Sequence, residues 1–363
     1  MERNSLSIAR EFARRGIEIE FAVLSAKGAL LSEARNEFIV HDMGVQRVRD
    51  APRRIAQLLD AQDYSYVRAS IWPLTSAAVL GRALSRWGGH LMLSEHNPLA
   101  NQYGGKGAFH RLALKTSLAI SHRMADSVVT VSRDVALDIH ELCGLRLSRM
   151  TIIPNPVAPR RPPSKRDLDK AARLWAAGEA QKILTVGSLK AQKNHALLIE
   201  AIARKPRGTA VLMILGEGGL RDELEALASR LGIAAFVRFA GFHPDPSPYF
   251  ATADTFALSS DYEGFGNVLV EALAAGLPIV STDCPGGPKD ILDKGRYGKL
   301  VPVGDVEAMA RAFDLGPRVP DLQSRQRRRA ADFDVRSIAS QYLRTFGIST
   351  DIDDDTSATQ PIR

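Results

Sequence analysis

The sequence predicts an α/β protein built from two Rossmann-like, doubly wound domains. Short apolar segments alternate with helical patterns along most of the 363 residues, and this alternation is typical of parallel sheets covered by helices. Several segments are nearly continuous apolar runs, as expected for strands buried on both faces. Five prolines lie between Pro154 and Pro163, where no apolar periodicity is present. Because proline-rich linkers separate domains, we place one domain at 1–155 and the other at 165–320.

The individual elements follow from the same pattern. Helices are expected at NHALLIEAIARK and LRDELEALASRLGI, which repeat apolar residues at helical spacing. A final helical segment at 323–345 is expected to pack back on the first domain, and the acidic, polar tail at 348–363 is expected to be disordered. The expected strands are 17–25, 91–95, 127–132 and 150–155 in the first domain, and 182–188, 210–216, 236–241, 255–260 and 278–283 in the second.

The start of the chain departs from this plan. A doubly wound domain opens with a strand and a glycine-rich turn, whereas this chain opens with SLSIAREFARRG, a helical pattern. We therefore expect that the first strand of the N-terminal domain is missing from the sequence as given. The natural chain would then extend upstream by about 15–30 residues, roughly one strand and its turn.

Composition and charge narrow the classes of function. The formal net charge of +7 suits anionic small molecules or an anionic membrane surface. No nucleic-acid recognition motif is present, so nucleic acid is not an expected partner. Cys143 and Cys284 have neither metal-ligand nor redox spacing, which fits a reducing, cytoplasmic compartment. A dehydrogenase is disfavoured because no GxGxxG followed by an acidic residue occurs.

The stretch EGFGNVLVEALAAG, from Glu263, carries the strongest signal for a site. It reads as a glycine loop after a strand, followed by a helix that is apolar on nearly every side except at Glu271. Glycines let backbone amides approach a ligand, and a helix N-terminus is a ready phosphate site. The two glutamates could hold two ends of one ligand. They could equally be a capping residue and a structural one, and the residues alone do not decide.

Two further strand–loop–helix junctions lie in the second domain. VGSLKAQKN carries Lys190 and Lys193, which could neutralise phosphate oxygens or simply be solvated loop lysines. ILGEGGLRDEL forms another such junction, which by itself is only weak evidence for a phosphate-binding site. Because the carboxyl ends of parallel strands share one sheet edge, the three junctions together favour a nucleotide-diphosphate site.

These segments resemble glycosyltransferase family 4. EGFGNVLVEA is similar to the Glu-x7-Glu signature of these retaining enzymes, and the order of segments between residues 182 and 305 is similar almost without gaps. The first domain is similar more loosely, through SEHN, VVTVS and IIPNPV. The resemblance implies a GT-B fold, in which two Rossmann-like domains face each other across a cleft. It also implies sugar transfer with retention from a UDP- or GDP-linked donor, with no metal or other cofactor.

The resemblance also implies roles for single residues. Glu271 would accept hydrogen bonds from the ribose, and Glu263 and His96 would meet the transferred sugar. Lys193 would neutralise the donor diphosphate. The catalytic set is thus Glu263, His96 and Lys193. The donor-binding set comprises Glu271, Gly264, Phe265, Gly266, Asn267, Val268, Gly187, Ser188, Lys190 and Glu217.

One position departs from the family pattern. The family usually has arginine where this chain has Ser188, so one cation beside the diphosphate is missing. Lys190, or an arginine elsewhere, could replace it, or turnover could be weaker.

The acceptor side is expected to involve residues 106–125. This segment combines apolar residues at helical spacing with a basic set, which fits peripheral contact with the inner face of an anionic membrane and a lipid-linked or growing glycan as acceptor. A solvated helix face explains the pattern as well. The basic set is Lys106, His110, Arg111, Lys115, His122 and Arg123.

Two other functions stay open at this stage. A nucleotide-sugar epimerase would share the fold but would consume no separate acceptor. A non-catalytic nucleotide-sugar-binding homologue would fit Ser188 and the chain start, and would bind donor without turnover.

Overall fold

The structure is a computed structural model that describes residues 2–28, 30–158, 161–176, 178, 180–314 and 320–348. In chain order the strands are β1 (Glu20–Val23), β2 (Ile39–Asp42), β3 (Tyr66–Ser70), β4 (His90–Glu95), β5 (Ser127–Thr130), β6 (Met150–Ile152), β7 (Gln181–Val186), β8 (Ala210–Leu215), β9 (Val237–Gly241), β10 (Thr255–Leu258), β11 (Ile279–Thr282) and β12 (Lys299–Val301).

The helices connect these strands and cover both faces of the sheets. In chain order they are α1 (Glu2–Arg14), α2 (Leu31–Glu37), α3 (Ala51–Ala61), α4 (Leu74–Leu84), α5 (Leu99–Tyr103), α6 (Ala108–Met124), α7 (Arg133–Cys143), α8 (Lys165–Trp175), α9 (His195–Ala203), α10 (Arg221–Arg230), α11 (Ser247–Thr252), α12 (Asn267–Ala275), α13 (Pro288–Ile291), α14 (Val306–Ala312), α15 (Pro320–Ala331) and α16 (Val335–Thr345).

The second half of the chain forms a six-stranded parallel sheet. Its strand order is β12-β11-β10-β7-β8-β9. Strands β8, β10 and β11 are buried at every position, because helices pack on both faces of the sheet and exclude water from both. Two apolar clusters, one on each face, contain alternate residues of these strands. The predicted doubly wound α/β fold is confirmed for this half.

The first half forms a four-stranded parallel sheet in the order β3-β4-β5-β6 and a separate parallel pair, β1-β2. Within the described residues these two sheets are not hydrogen-bonded to each other. An apolar cluster on one face joins β4 and β5 to α3, α4, α6 and α7. The proposed domain limits, and the proposed strand upstream of residue 1, stay predictions.

Each segment that the sequence predicted to be a strand overlaps a strand of the structure, but the sequence did not predict β2, β3 or β12. The sequences of β2 and β3 interrupt their apolar residues with His41, Asp42 and Arg68. Such mixed runs of four or five residues carry a weak strand signal.

The segment predicted as one helix at 323–345 is two helices. Asp334 accepts hydrogen bonds from the backbone N–H groups of Arg336 and Ser337, and so begins α16 as a new helix. Helix α16 packs on α1 of the first sheet through Tyr342 and Ile8, among other residues, whereas α15 packs on α12 of the second. Residues 349–363 of the predicted tail lie outside the described residues.

Candidate functional site

The strand order of the second sheet reverses between β7 and β10. Strand β7 leads through α9 to β8 on one side, and β10 leads through α12 to β11 on the other. A crevice forms at such a switch point, outside the carboxyl ends of the strands, and ligands of open α/β sheets bind there. Lys193 follows β7 and Glu263 follows β10. Their side chains meet at this point, with Lys193 Nζ 2.5 Å from Glu263 Oε1.

Glu263 is nearly buried, with 5% of its surface exposed. Lys193 and Ser260 compensate the buried carboxylate, since Ser260 Oγ donates to Oε1 at 2.6 Å. The Glu263 backbone N–H donates to Pro285 O at 2.9 Å. Lys193 keeps 19% of its side chain exposed, so it is less deeply buried than the carboxylate it pairs with. Ser260 was not singled out by sequence reasoning, although it lies three residues before Glu263.

Hydrogen bonds tie the loop after β7 to the loop after β10. Gln192 Nε2 donates to Tyr262 O at 2.9 Å, and Asn194 Nδ2 donates to Asp261 Oδ1 at 2.8 Å. Ser259 Oγ donates to the carbonyl of Lys193 at 2.8 Å. The positions of Lys193 and Glu263 are therefore fixed by both loops together.

Helix α12 begins directly after the glycine loop. Gly266 has φ +97°, a conformation that residues with a Cβ rarely adopt. No side chain caps the helix at Gly266, so the first-turn amides of Asn267 and Val268 are available to an anion. Glu271 lies one turn further on and is half-buried. Helix α12 is therefore not buried on every side, because Glu271, the charged residue in its largely apolar sequence, is partly accessible.

The junctions after β7 and β8 lie side by side. The backbone N–H of Leu189 donates to Glu217 O at 2.9 Å. Gly187 and Ser188 are half-buried, whereas Lys190 and Glu217 are exposed. The structure therefore brings all these predicted donor-binding residues to the one sheet edge that also holds Lys193 and Glu263.

His195 was not predicted and lies at the start of α9. Its side chain is 3% exposed. Burial and the nearby charge of Lys193 lower its pKa to about 4, so the imidazole is neutral at physiological pH. No motif pointed to it, because a lone histidine in an apolar helix has no distinctive sequence signal.

His96 approaches the crevice from the first sheet, in the loop after β4. It is 8% exposed, and its Nε2 lies 3.0 Å from Ser94 Oγ. Burial, and secondly the charge of Arg68, lower its pKa to about 3. The loop of Gly264 lies directly against it: a Cβ added to Gly264 would be 1.7 Å from His96 O. The structure thus brings His96 beside the Glu263 loop.

Two carboxylates hold the loop of His96 and were not predicted. Glu95 is fully buried and accepts from Trp72 N at 3.0 Å and from Thr75 Oγ1 at 2.8 Å. Asp138 accepts from Leu99 N at 2.6 Å. These partners come from separate elements, so sequence spacing gave no hint of them.

A reciprocal pair of hydrogen bonds joins the two halves beside the cleft. Asp134, at the start of α7, accepts from Gly286 N at 2.9 Å. Asp290, in α13, accepts from Arg133 N at 3.1 Å. Burial raises the pKa of Asp290. The cleft is closed in this structure by these bonds and by the contact of Gly264 with His96.

Helix α6 carries most of the segment 106–125. Its outward face exposes Phe109 (86%), Leu112 (63%), Ile120 (55%) and Met124 (52%). One predicted member of the basic set is wrong, because His122 is fully buried. It lies 3.1 Å from Ser121 Oγ and 3.4 Å from Glu95.

His110 does not face solvent freely either, since its ring packs edge-on against Trp72 at a centroid distance of 5.6 Å.

In the described part of the chain, no helix is both long and apolar enough to cross a membrane. The described residues also contain no group of three or more His, Cys, Asp or Glu side chains placed to hold a metal ion.

The curated relatives match parts of the chain. A lipopolysaccharide core biosynthesis glycosyltransferase, LpsE, of Rhizobium meliloti (strain 1021) is 40% identical over 143 residues, which cover 39% of this chain and 41% of that protein. The N-acetylgalactosamine-N,N'-diacetylbacillosaminyl-diphospho-undecaprenol 4-alpha-N-acetylgalactosaminyltransferase of Campylobacter jejuni is 31% identical over 246 residues, 66% of this chain and 65% of that one. The chain thus spans less than two thirds of either relative.

Solved structures match nearly the whole chain. Anabaena Alr3699/HepE in complex with UDP superimposes with a TM-score of 0.81 at 22% identity, covering 95% of both chains. The apo form of the lipopolysaccharide outer core galactosyltransferase WaaB gives a TM-score of 0.72 at 19% identity, covering 94% of both chains. At these identities the likeness shows the fold, which is GT-B as expected.

The family assignment covers both halves. Residues 1–161 match the family described as Glycosyltransferase Family 4, and residues 169–332 match the family described as Glycosyl transferases group 1. Together the two matches span all three sheets of the described residues and the cleft between the two halves, in the order that the sequence resemblance implied. The chain belongs to the group 1 glycosyltransferases of family 4.

Proposed function

We propose that this protein transfers a sugar from a nucleoside-diphosphate sugar to a glycan or lipid-linked acceptor, with retention of configuration. The observation that carries this proposal is the pairing of Lys193 with Glu263 at the switch point of the second sheet, beside the open N-terminus of α12. A cation and free amides suit a diphosphate, and a carboxylate suits sugar hydroxyls.

The chemistry depends mainly on charge and position. During transfer, the bond between the anomeric carbon and the donor phosphate oxygen breaks, and negative charge develops on the departing diphosphate. The acceptor hydroxyl oxygen bonds to the anomeric carbon, and its proton passes to the departing phosphate oxygen. Lys193 and the first-turn amides of α12 are placed to stabilise that charge. With these groups supplying the positive charge, the proposed reaction uses no metal or other cofactor.

Donor binding changes the partner of Lys193. A diphosphate competes with Glu263 for the ammonium group, because both are anions within its reach. Once Lys193 turns to the diphosphate, Glu263 keeps its bond from Ser260 and has Oε2 free to accept from sugar hydroxyls. Glu271, half-buried on α12, is assigned to the ribose.

The named relatives support the donor and acceptor classes. HepE is crystallised with UDP and with UDP-glucose, which supports a UDP-linked donor. The Campylobacter jejuni relative is named as a transferase acting on a diphospho-undecaprenol-linked sugar, which supports a lipid-linked acceptor. A GDP-linked donor is the alternative that the screen below tests.

We place the reaction on the cytoplasmic side of the cell membrane, with α6 as the contact. The outward apolar face of α6 carries Phe109 and Leu112, and its exposed cations include Arg111, Lys115 and Arg123. Apolar side chains flanked by cations favour an anionic bilayer surface. Cys143 and Cys284 are free thiols, as expected in a reducing compartment.

Release of nucleoside diphosphate from a panel of UDP- and GDP-sugars tests the proposed reaction. Lys193→Ala should abolish release above background, whereas Lys299→Ala, an exposed lysine on β12, should leave it unchanged. Product analysis then separates the alternatives: an epimerised donor without acceptor consumption would indicate an epimerase. Tight donor binding without any product would indicate a non-catalytic binder.

Vesicle sedimentation tests the membrane contact separately. The protein should sediment with vesicles of phosphatidylcholine containing phosphatidylglycerol and not with phosphatidylcholine alone, because the cations need anionic lipid. Phe109→Glu should abolish sedimentation without changing nucleotide release in solution. Equal sedimentation of both proteins would overturn the contact through α6.

A further inference from the structure

Six polar side chains form a ring where the first sheet meets the donor loop. Each is linked to the next around the ring by a hydrogen bond, by adjacency along the chain or by a charge interaction. In order around the ring they are Asn4 and Ser5 of α1, Arg68 of β3, His96, Asn155 and Asn267.

The links are short and run through both halves of the protein. Asn155 Nδ2 donates to Asn267 Oδ1 at 3.2 Å, and Asn267 Nδ2 donates to Asn4 Oδ1 at 3.4 Å. Arg68 donates to Ser5 Oγ at 3.0 Å. Arg68 also lowers the pKa of His96, and the Asn155 side chain beside His96 raises it by a smaller amount. Arg68 and Asn155 therefore both lie near His96, at the junction of the two halves.

Two atoms of the ring lack a partner although their residues are buried. Asn4 is 9% exposed and His96 is 8% exposed. Asn4 Nδ2 and His96 Nδ1 have no hydrogen-bond partner among the described residues. A buried polar atom without a partner costs about 1–3 kcal/mol, so unpaired atoms of this kind indicate a place that a ligand atom completes.

The ring supplies donors and carries no negative charge. Arg68 is half-buried and stacks over the Tyr342 ring at 4.9 Å. No carboxylate of a described residue forms an ion pair with Arg68. Asn4 Nδ2 is a donor, and His96 Nδ1 is a further donor in the tautomer whose Nε2, 3.0 Å from Ser94 Oγ, accepts from that hydroxyl. Donor groups that include one uncompensated cation, Arg68, select an anion.

We propose that this ring binds a phosphate or carboxylate group. Arg68, the Asn4 amide and His96 Nδ1 would each donate to the anion. Because Asn267 lies in the donor half and the other five in the acceptor half, a small separation of the halves would widen the ring and admit the group. Two sources share this chemistry, the diphosphate of the donor and an anionic group of the acceptor. Only the choice between these sources rests on the proposed function.

If the anion is the donor diphosphate, Arg68 would supply, from across the cleft, the cation that is missing at Ser188. If the anion belongs to the acceptor, Arg68 would hold the acceptor. Both sources predict that removing positive charge from the ring, or adding negative charge to it, weakens anion binding by about ten- to a hundredfold, the usual effect of a lost charged hydrogen bond.

Titration with inorganic phosphate, followed by NMR of the Arg68 Nε–H signal, tests the proposal on the full chain. Phosphate should shift this signal in the wild type. Asn4→Asp, which keeps the size of the side chain and adds a negative charge, should abolish the shift. Arg146→Ala, which removes an exposed arginine on the same half, should leave phosphate affinity unchanged. Arg68→Lys identifies the signal and should retain part of the affinity.

The same titration on protein saturated with UDP, and then with GDP, separates the two sources. If the nucleotide blocks the phosphate shift at Arg68, the ring holds the donor diphosphate; if the shift persists, the ring serves an acceptor anion. An Arg68 signal that never moves, or a shift that survives in Asn4→Asp, would overturn the proposal. If the protein binds phosphate at the ring but releases no nucleoside diphosphate from any donor, the anion site is supported and the proposed transferase activity is contradicted.

Discussion

The two glutamates of the Glu-x7-Glu motif have different surroundings, which predicts different effects when each is substituted. Glu263 is nearly buried against Lys193 and Ser260, whereas Glu271 is half-buried on α12. A ligand that takes over Lys193 or Glu263 Oε1 must break this ion pair, of which Glu271 is not a part. This difference explains why nucleotide binding and sugar transfer are expected to respond separately to substitution.

Glu271→Ala should weaken binding of the bare nucleoside diphosphate, because a lost charged hydrogen bond to the ribose costs about 1.5–3 kcal/mol. Glu263→Gln should lower transfer but leave nucleotide binding unchanged or tighter, since Lys193 is released to the diphosphate. Calorimetry with UDP and GDP, together with donor turnover, measures both effects. Glu223→Ala, at an exposed position of α10, is the control. An unchanged nucleotide affinity in Glu271→Ala would contradict the ribose assignment.

Ser188 offers a test of the departure from the family pattern. It is half-buried at the edge of the crevice, next to Gly187. Ser188→Arg should tighten nucleoside diphosphate binding at low salt, and the gain should shrink as salt is raised, because exposed charges are screened. Affinity measured at two ionic strengths decides this. No gain at low salt would mean that another cation, such as Arg68 or Lys190, already fills the position.

At the scale of elements, the loops between strand and helix carry the site, and the helices hold those loops. Helix α9 begins at His195, directly after the loop of Lys193. The side chain of Asn194 accepts from Leu197 N and begins the helix. Since His195 is buried beside Lys193, protonating it would place a second positive charge in the interior. Folding therefore keeps His195 neutral.

This neutral histidine should make stability fall in mild acid. The pKa of His195 is about 4 in the folded chain and about 6.5 when unfolded. Between these values the unfolded chain binds a proton that the folded chain does not, so the free energy of unfolding decreases as the pH is lowered. From pH 7 to pH 5 the expected loss is about 2 kcal/mol. His195→Gln should remove this part of the loss in denaturant titrations, while both proteins should behave alike above pH 7. An identical loss in the variant would show that His195 is not the cause.

The sequence predicted the second half of the protein better than the first. Most of its strands are continuous apolar runs. The motif residues Lys193 and Glu263 lie in loops that follow strands, and Glu271 lies in the helix after the second of these loops, so the fold brings them to one edge of the sheet. Strands β2 and β3 were missed because His41, Asp42 and Arg68 break their apolar pattern. Helix α6 was predicted, but His122 was wrongly placed on its wet face, since its buried partner Glu95 lies on a distant strand.

The hydrogen bonds that join the two halves could not be predicted from the sequence. Asp134 with Gly286, Asp290 with Arg133, and the ring around Arg68 join residues that are far apart in sequence. No periodicity or motif links such partners, because their proximity depends on how one half is placed on the other. The family resemblance predicted a cleft between the two halves, but not the hydrogen bonds that close it.

At the scale of the whole molecule, closure of the cleft depends in part on one close backbone contact. Gly264 belongs to the donor loop, and its Cα faces His96 O of the other half so closely that an added Cβ would lie 1.7 Å away. Gly264→Ala should therefore leave each half folded but hold the halves apart. Because a displacement of about 1 Å can lower a rate by about a hundredfold, transfer should fall by that order, while nucleotide affinity should change little, since Glu271 and Lys193 lie in one half.

Small-angle scattering and turnover measurements check this expectation together. Gly264→Ala should show a larger radius of gyration than the wild type in the presence of nucleotide, with nearly the same melting temperature. Gly88→Ala is the matched control, because a Cβ added there meets no atom within 4 Å. Full transfer activity in Gly264→Ala would mean that the chemistry does not require His96 and Glu263 to meet across this contact. A large loss of melting temperature would instead show that Gly264 serves the fold of its own half, and closure would then need a different test, such as Asp134→Asn, which weakens the bond to Gly286 without adding volume.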